Sequence, residues 1–153
     1  GLILSRQNLP VIDRSCCGAS ENAANGAYIL CDTEGTPDAI LIATGSEVSL
    51  AISAANELKK DGIKVRVISA PSLEWFREKD KSYRDSVLPP TVKARVAIEA
   101  GISQGWHEWV GDKGAVIGID HYGASGSAGA LFKKFGFTVE NVVSTVRVVL
   151  KND

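Results

Sequence analysis

Apolar and polar positions follow one another along this chain in short, separated blocks, and each block predicts an element. Ala27 to Cys31 (AYILC) reads as a strand, and the turn-forming cluster from Asp32 to Pro37 leads into Ala39 to Thr44 (AILIAT). That second run is apolar throughout, as a strand buried on both faces must be. The period then changes from 2 to 3.6, because Val48, Ala51, Ile52, Ala55 and Leu58 form one helical stripe. Thr44 and Glu47 have the spacing of a capping box, with Thr44 or Ser46 as the capping residue. Lys59, Lys60 and Gly62 supply a basic last turn and a terminating glycine, so the helix ends near Asp61. Ile63 to Ile68 (IKVRVI) follows as a strand whose outer half is partly exposed, stopped by Pro71.

The alternation continues to the end of the chain. Leu73 to Leu88 reads as short helical pieces, Lys93 to Ala100 as a buried strand, Gln104 to Val110 as a short helix, and Ala115 to Asp120 as a last strand. Two helices close the pattern, one around Ser127 to Phe135 and one from Val139 to Leu150. In the latter, Val142, Val143, Val146 and Val149 stand 3, 4, 7 and 10 residues after Val139, a helical period despite valine's preference for strands. Strands alternating with helices of these lengths imply an α/β fold: a mostly parallel, five-stranded sheet with helices on both faces and right-handed crossovers. Residues 5 to 26 follow neither period and read as a connecting segment that holds a domain boundary.

Composition narrows the functional classes. A chain of 153 residues suits one core, and 44% apolar with 23% charged residues is ordinary globular usage. Seventeen basic against eighteen acidic side chains leave a formal charge of -1, which offers no field for nucleic acid or an anionic membrane. No apolar run approaches the roughly 20 residues of a membrane span. Three cysteines, Cys16, Cys17 and Cys31, are an odd count without a CxxC pair. They encode neither a disulfide framework nor a zinc site, and reduced thiols in a cytoplasmic setting are expected. The apolar start Leu2-Ile3-Leu4 reads as a strand belonging to a missing neighbour, so the chain is expected to be a fragment.

Candidate chemistry is sparse. The Gly45-Ser46 turn offers backbone N–H groups at a strand end, a possible anion site, but neither G-x-G-x-x-G nor a Walker lysine accompanies it. The glycine-rich stretch Gly123 to Gly129 could form an anion nest, but Ser127 stands where a nucleophile elbow needs its second glycine. His107-Glu108 lacks the second histidine of a zinc helix, and His107 and His121 are expected at the surface or in loops. Trp75, Trp106 and Trp109 read as core or interface packing. From these residues alone, a stand-alone anion-binding or assembly module stays open.

Leu2-Ile3-Leu4-Ser5-Arg6-Gln7-Asn8-Leu9-Pro10 resembles the motif at the end of the transketolase pyrimidine-binding domain. The resemblance continues through Ala43-Thr44-Gly45-Ser46-Glu47-Val48, Tyr83-Arg84-Asp85-Ser86-Val87-Leu88-Pro89, Arg95 to Gly101 (RVAIEAG) and Phe135 to Val143 (FGFTVENVV). These matches run in family order over essentially the whole chain, which is thereby identified as a member of the transketolase family. Phosphoketolases and deoxyxylulose-phosphate synthases share the architecture but not the SRQNLP and YR-SVLP matches. The resemblance implies a three-layer αβα domain whose mostly parallel sheet carries one antiparallel edge strand. It implies that residues 1–22 are the end of the pyrimidine-binding domain and a linker, and residues 23–153 the C-terminal domain.

It further implies a thiamine-diphosphate-dependent transfer of a two-carbon ketol unit between sugar phosphates in the pentose phosphate pathway. In the family, thiamine diphosphate and Mg2+ (or Ca2+) lie between the two preceding domains across a homodimer interface. The resemblance therefore puts no catalytic, cofactor or metal residue in this chain, and the chain alone is expected to be inactive. One residue carries over: Arg6 aligns with the family arginine that binds the substrate's phosphate. A guanidinium suits that role because it can fork onto a phosphate with two charge-assisted hydrogen bonds. The stretch Ser125-Gly126-Ser127-Ala128-Gly129 departs from the family's Ser-Ala-Pro and bears on where the next helix starts.

Overall fold

In the computed structural model, which describes residues 7–15 and 17–152, apolar runs become strands and amphipathic stretches become helices. Gly1 to Arg6, on which the expected strand end and the expected phosphate-binding arginine fall, and Cys16 lie outside the described residues. The strands are β1 (Tyr28–Cys31), β2 (Ala39–Ala43), β3 (Val65–Ser69), β4 (Arg95–Ile98) and β5 (Ala115–Ile117). The helices are α1 (Glu47–Lys60), α2 (Leu73–Arg77), α3 (Lys81–Val87), α4 (His107–Val110), α5 (Ala128–Lys134) and α6 (Val139–Lys151). The five-stranded sheet has the order β1-β3-β2-β4-β5, with β1 antiparallel to β3 and every other pair parallel. The single antiparallel edge strand matches what the resemblance implies.

β2 is buried at all five positions because both of its faces are covered. On one face α1 and α6 pack over Leu41, Val67, Val96 and Ile98, which alternate with the residues that face the other layer. On the other face Phe76, Val87, Trp106 and Trp109 cover Ile40, Ile42, Ile68 and Ala97. Phe76 is fully enclosed, with the Trp109 ring centroid 5.1 Å away, and burying such a ring contributes roughly 1.5–3 kcal/mol. Gly26 marks the entry to the sheet. Its φ of 82° is one that side-chain-bearing residues avoid, and a Cβ there would lie 2.3 Å from the Phe76 nitrogen.

The valine-rich segment is a helix. Thr138 caps it, its hydroxyl accepting from the Asn141 N–H at 3.2 Å, and Val142, Val143, Val146 and Val149 face the core. α1 ends as expected, with Ile63 N–H bonded to the Leu58 carbonyl (3.2 Å) and Gly62 N–H to the Lys59 carbonyl (3.0 Å).

Four expectations need correction. The buried stripe of α1 includes Ala54, while Ile52 and Ala55 are only half-buried at its margin. β4 and β5 are shorter than their apolar runs. The outer half of β3 is not exposed at Arg66, which is buried because its guanidinium pairs with Asp32 (2.8 and 3.0 Å) and donates to the Ser86 carbonyl (2.8 Å). Neither Thr44 nor Ser46 caps α1 with its side chain, for a reason found at the strand ends.

Candidate functional site

From β2 the chain crosses through α1 to β3, then returns through α2 and α3 on the opposite face to β4. The loops after β2 and β4 therefore diverge to opposite layers. Between them, where Ala43 pairs with Ile98, lies the switch point at which such sheets hold ligands. The expected anion site sits on its rim: Gly45 turns the chain with φ 54°, and Ser46 occupies the cap position of α1 in helical geometry.

What fills the crevice is a carboxylate. Glu47 is only 4% exposed, and it accepts from the Ser46 hydroxyl and, across the crevice, from the Ala100 N–H at 3.2 Å. The capping-box geometry would turn this side chain back along the helix; instead it staples the β2 loop to the β4 loop, and Ser46 serves it rather than the helix end. Burial pushes the Glu47 carboxyl above the ordinary carboxylate range; the bonds from Ser46 and Ala100 oppose that rise, and the neighbouring Glu99 charge adds to it. Glu99 is held by the Trp106 indole N–H at 2.6 Å. The switch point thus carries two carboxylates where an anion would have to enter.

The remaining candidates are dispersed. Gln7 to Pro10, the described end of the SRQNLP motif, line a surface cavity of about 370 Å³ together with Ser46, Ser49 and Phe132. The structure therefore brings that motif's end and the Gly45-Ser46 rim to the same side of α1. His107 and His121 are both exposed; the His121 Nδ1 lies 2.8 Å from the Tyr122 carbonyl. Trp106 and Trp109 are core residues, while Trp75 is 57% exposed. The glycine-rich stretch is an exposed loop that leads into α5 at Ala128 without a side-chain cap from Ser127. Asp120 accepts from both the N–H and the hydroxyl of Ser103 (2.9 Å each), which holds its carboxyl below the usual range. Among the described residues no group of three or more His, Cys, Asp or Glu is placed to hold a metal ion.

Two features escaped the sequence reading. Arg95 donates to the carbonyls of Val92 (2.9 Å), Trp109 (2.9 Å) and Pro89 (3.0 Å), stapling loop to sheet. Cys17 and Cys31 meet in space with 3.1 Å between sulfurs, which no spacing rule indicates. For Glu47 a signal existed: it stands 4, 7 and 11 residues before Ala51, Ala54 and Leu58, which places it on the buried face of α1.

The sequence model of the transketolase-like C-terminal domain matches residues 26–138. A transketolase of Mycobacterium tuberculosis is 49% identical over 157 aligned positions, covering 99% of this chain and 22% of that protein. Transketolase 2 of Vibrio parahaemolyticus is 52% identical, covering 97% of this chain and again 22% of the relative. Among solved structures, a transketolase mutant from Pichia stipitis superposes with a TM-score of 0.85 at 36% identity, over 95% of this chain and 20% of that one. Transketolase from Leishmania mexicana gives a TM-score of 0.79 at 42% identity, over 86% and 19% of the two chains. The chain thus spans 22% of the length of the curated relatives it matches.

Proposed function

The chain belongs to the transketolase family, and from that premise we propose that it serves as the C-terminal part of an enzyme moving a two-carbon ketol unit between sugar phosphates. The observation that carries this reading is the match over 99% of the chain to a transketolase, together with the C-terminal-domain match over residues 26–138. Thiamine diphosphate with a divalent metal supplies the carbanion chemistry in such an enzyme. Among the described residues no group of three or more His, Cys, Asp or Glu is placed to hold that metal. In this reading the cofactor sits on the other domains of a cytoplasmic homodimer. Residues 1–22 then form the end of the pyrimidine-binding domain and a linker, and residues 23–153 the C-terminal domain.

What this chain contributes to the reaction is position. Arg6 forks onto the phosphate of the sugar and fixes the end remote from the reacting carbons, which makes a near-attack geometry frequent instead of rare. The switch point takes a structural role: Glu47 occupies the Ser46 hydroxyl and joins the β2 loop to the β4 loop through the Ala100 N–H. In the intact enzyme, Arg6→Ala is expected to raise KM for a phosphorylated ketose by about 10- to 100-fold, the worth of one or two charge-assisted hydrogen bonds. It should leave turnover of an unphosphorylated ketol donor nearly unchanged. Steady-state kinetics with both donors checks this, and an equal loss on both would remove Arg6 from the phosphate site.

A further inference from the structure

Cys17 lies in the connecting segment and Cys31 ends the edge strand β1, yet their sulfurs stand 3.1 Å apart. Backbone geometry builds this contact. The Gly18 N–H donates to the Leu30 carbonyl at 2.7 Å, so Cys17 faces Cys31 as Gly18 faces Leu30, the order of antiparallel neighbours. That backbone bond lies next to the thiol pair, and the two sulfurs are already in contact across the segments. To bond, the sulfurs have only to close from 3.1 Å to the roughly 2.05 Å of a disulfide. The segment is pressed against the strand, since a Cβ on Gly18 would lie 2.3 Å from the Ile29 carbonyl oxygen. Arg14 holds it from the other side by donating to the Gly18 carbonyl (2.7 Å) and the Tyr28 hydroxyl (3.2 Å). Both thiols are half-buried, and Cys31 borders an open cavity of about 640 Å³ together with Asp32, Lys59 and Lys64. A small reagent can reach the pair by that route.

We propose that Cys17 and Cys31 form a reversible disulfide, a redox-responsive modification site that ties the connecting segment to the edge of the sheet. The oxidant is a low-molecular-weight disulfide. The thiolate of Cys31 attacks one of its sulfurs, the sulfur–sulfur bond breaks, and one small thiolate leaves. The thiolate of Cys17 then attacks the Cys31 sulfur of the mixed disulfide and expels the second small thiolate. The protein gives up two electrons and two protons, and the reagent becomes two thiols. The bond closes the loop that contains the Ser20–Asn25 turn and Gly26, and it restricts that loop in every partly opened state. This site stands on thiol geometry alone and does not depend on the enzymatic reading above.

The test uses the intact protein that carries this chain, with Cys16→Ser removing the adjacent thiol, incubated with oxidised glutathione. Cleavage after Glu21 puts Cys17 and Cys31 on different peptides. Mass spectrometry without reductant should find those two peptides joined, and reductant should release them. Cys17→Ser and Cys31→Ser should each abolish the link. Once linked, amide exchange across residues 18–30 should slow by on the order of tenfold or more. Glutathione adducts without a link, unreacted thiols, or a link seen only while Cys16 is present would each overturn the proposal. Unchanged exchange in the linked protein would overturn the tie to the sheet.

Discussion

Glu47 opens α1 with its carboxylate turned inward, and its burial has a consequence in solution. A carboxyl whose folded pKa lies above the unfolded value of about 4.5 binds its proton more tightly in the native state. The stability that this proton contributes is present in full below that value and is lost as the pH rises through the raised native pKa. Glu47→Gln keeps an acceptor for the Ala100 N–H and removes the ionisation. Relative to wild type, the unfolding free energy of E47Q should therefore move in the variant's favour as pH climbs from about 4.5 through that window. Urea titrations at a series of pH values read this difference, and a difference independent of pH would mean that Glu47 titrates alike in both states. Arg66 is a second buried charged group, and Asp32 and the carbonyls of Ser86 and Val87 satisfy it.

The two long helices begin by different means. α6 starts at a threonine whose hydroxyl accepts the Asn141 N–H, a conventional side-chain cap. α1 starts at a serine whose hydroxyl instead donates to the buried Glu47. Thr138→Ala should accordingly cost about 1 kcal/mol of stability in urea denaturation. A loss below about 0.3 kcal/mol would show that the valine face packed on α1, rather than its cap, sets where α6 begins. Element identity was legible because apolar periods persist through packing: the valines of α6 repeat at helical spacing, and the helix follows. The ends of β4 and β5 were less legible, because Ala94 before β4 and Ile119 beyond β5 also pack on the core without belonging to a strand.

As a whole molecule, the chain presents an αβα domain with several large apolar side chains exposed, among them Val11 (97%), Ile102 (62%) and Tyr122 (99%). If the active centre lies between other domains, the isolated chain should transfer no ketol unit even when supplied with thiamine diphosphate and Mg2+. A coupled assay on the purified chain reads this, and turnover above the enzyme-free blank would put catalytic groups in this domain. The sequence by itself determined the order and type of the elements, the layered α/β class and the family. Those follow from local periodicity and from contiguous motifs such as SRQNLP, and both survive being read one residue after another. Tertiary structure alone decided that Glu47 spans the switch point to Ala100, that Arg66 finds Asp32, and that Cys17 lies against Cys31. In each case the partners are far apart in sequence, and the sheet order brings them together by pairing or juxtaposing segments that no local period relates.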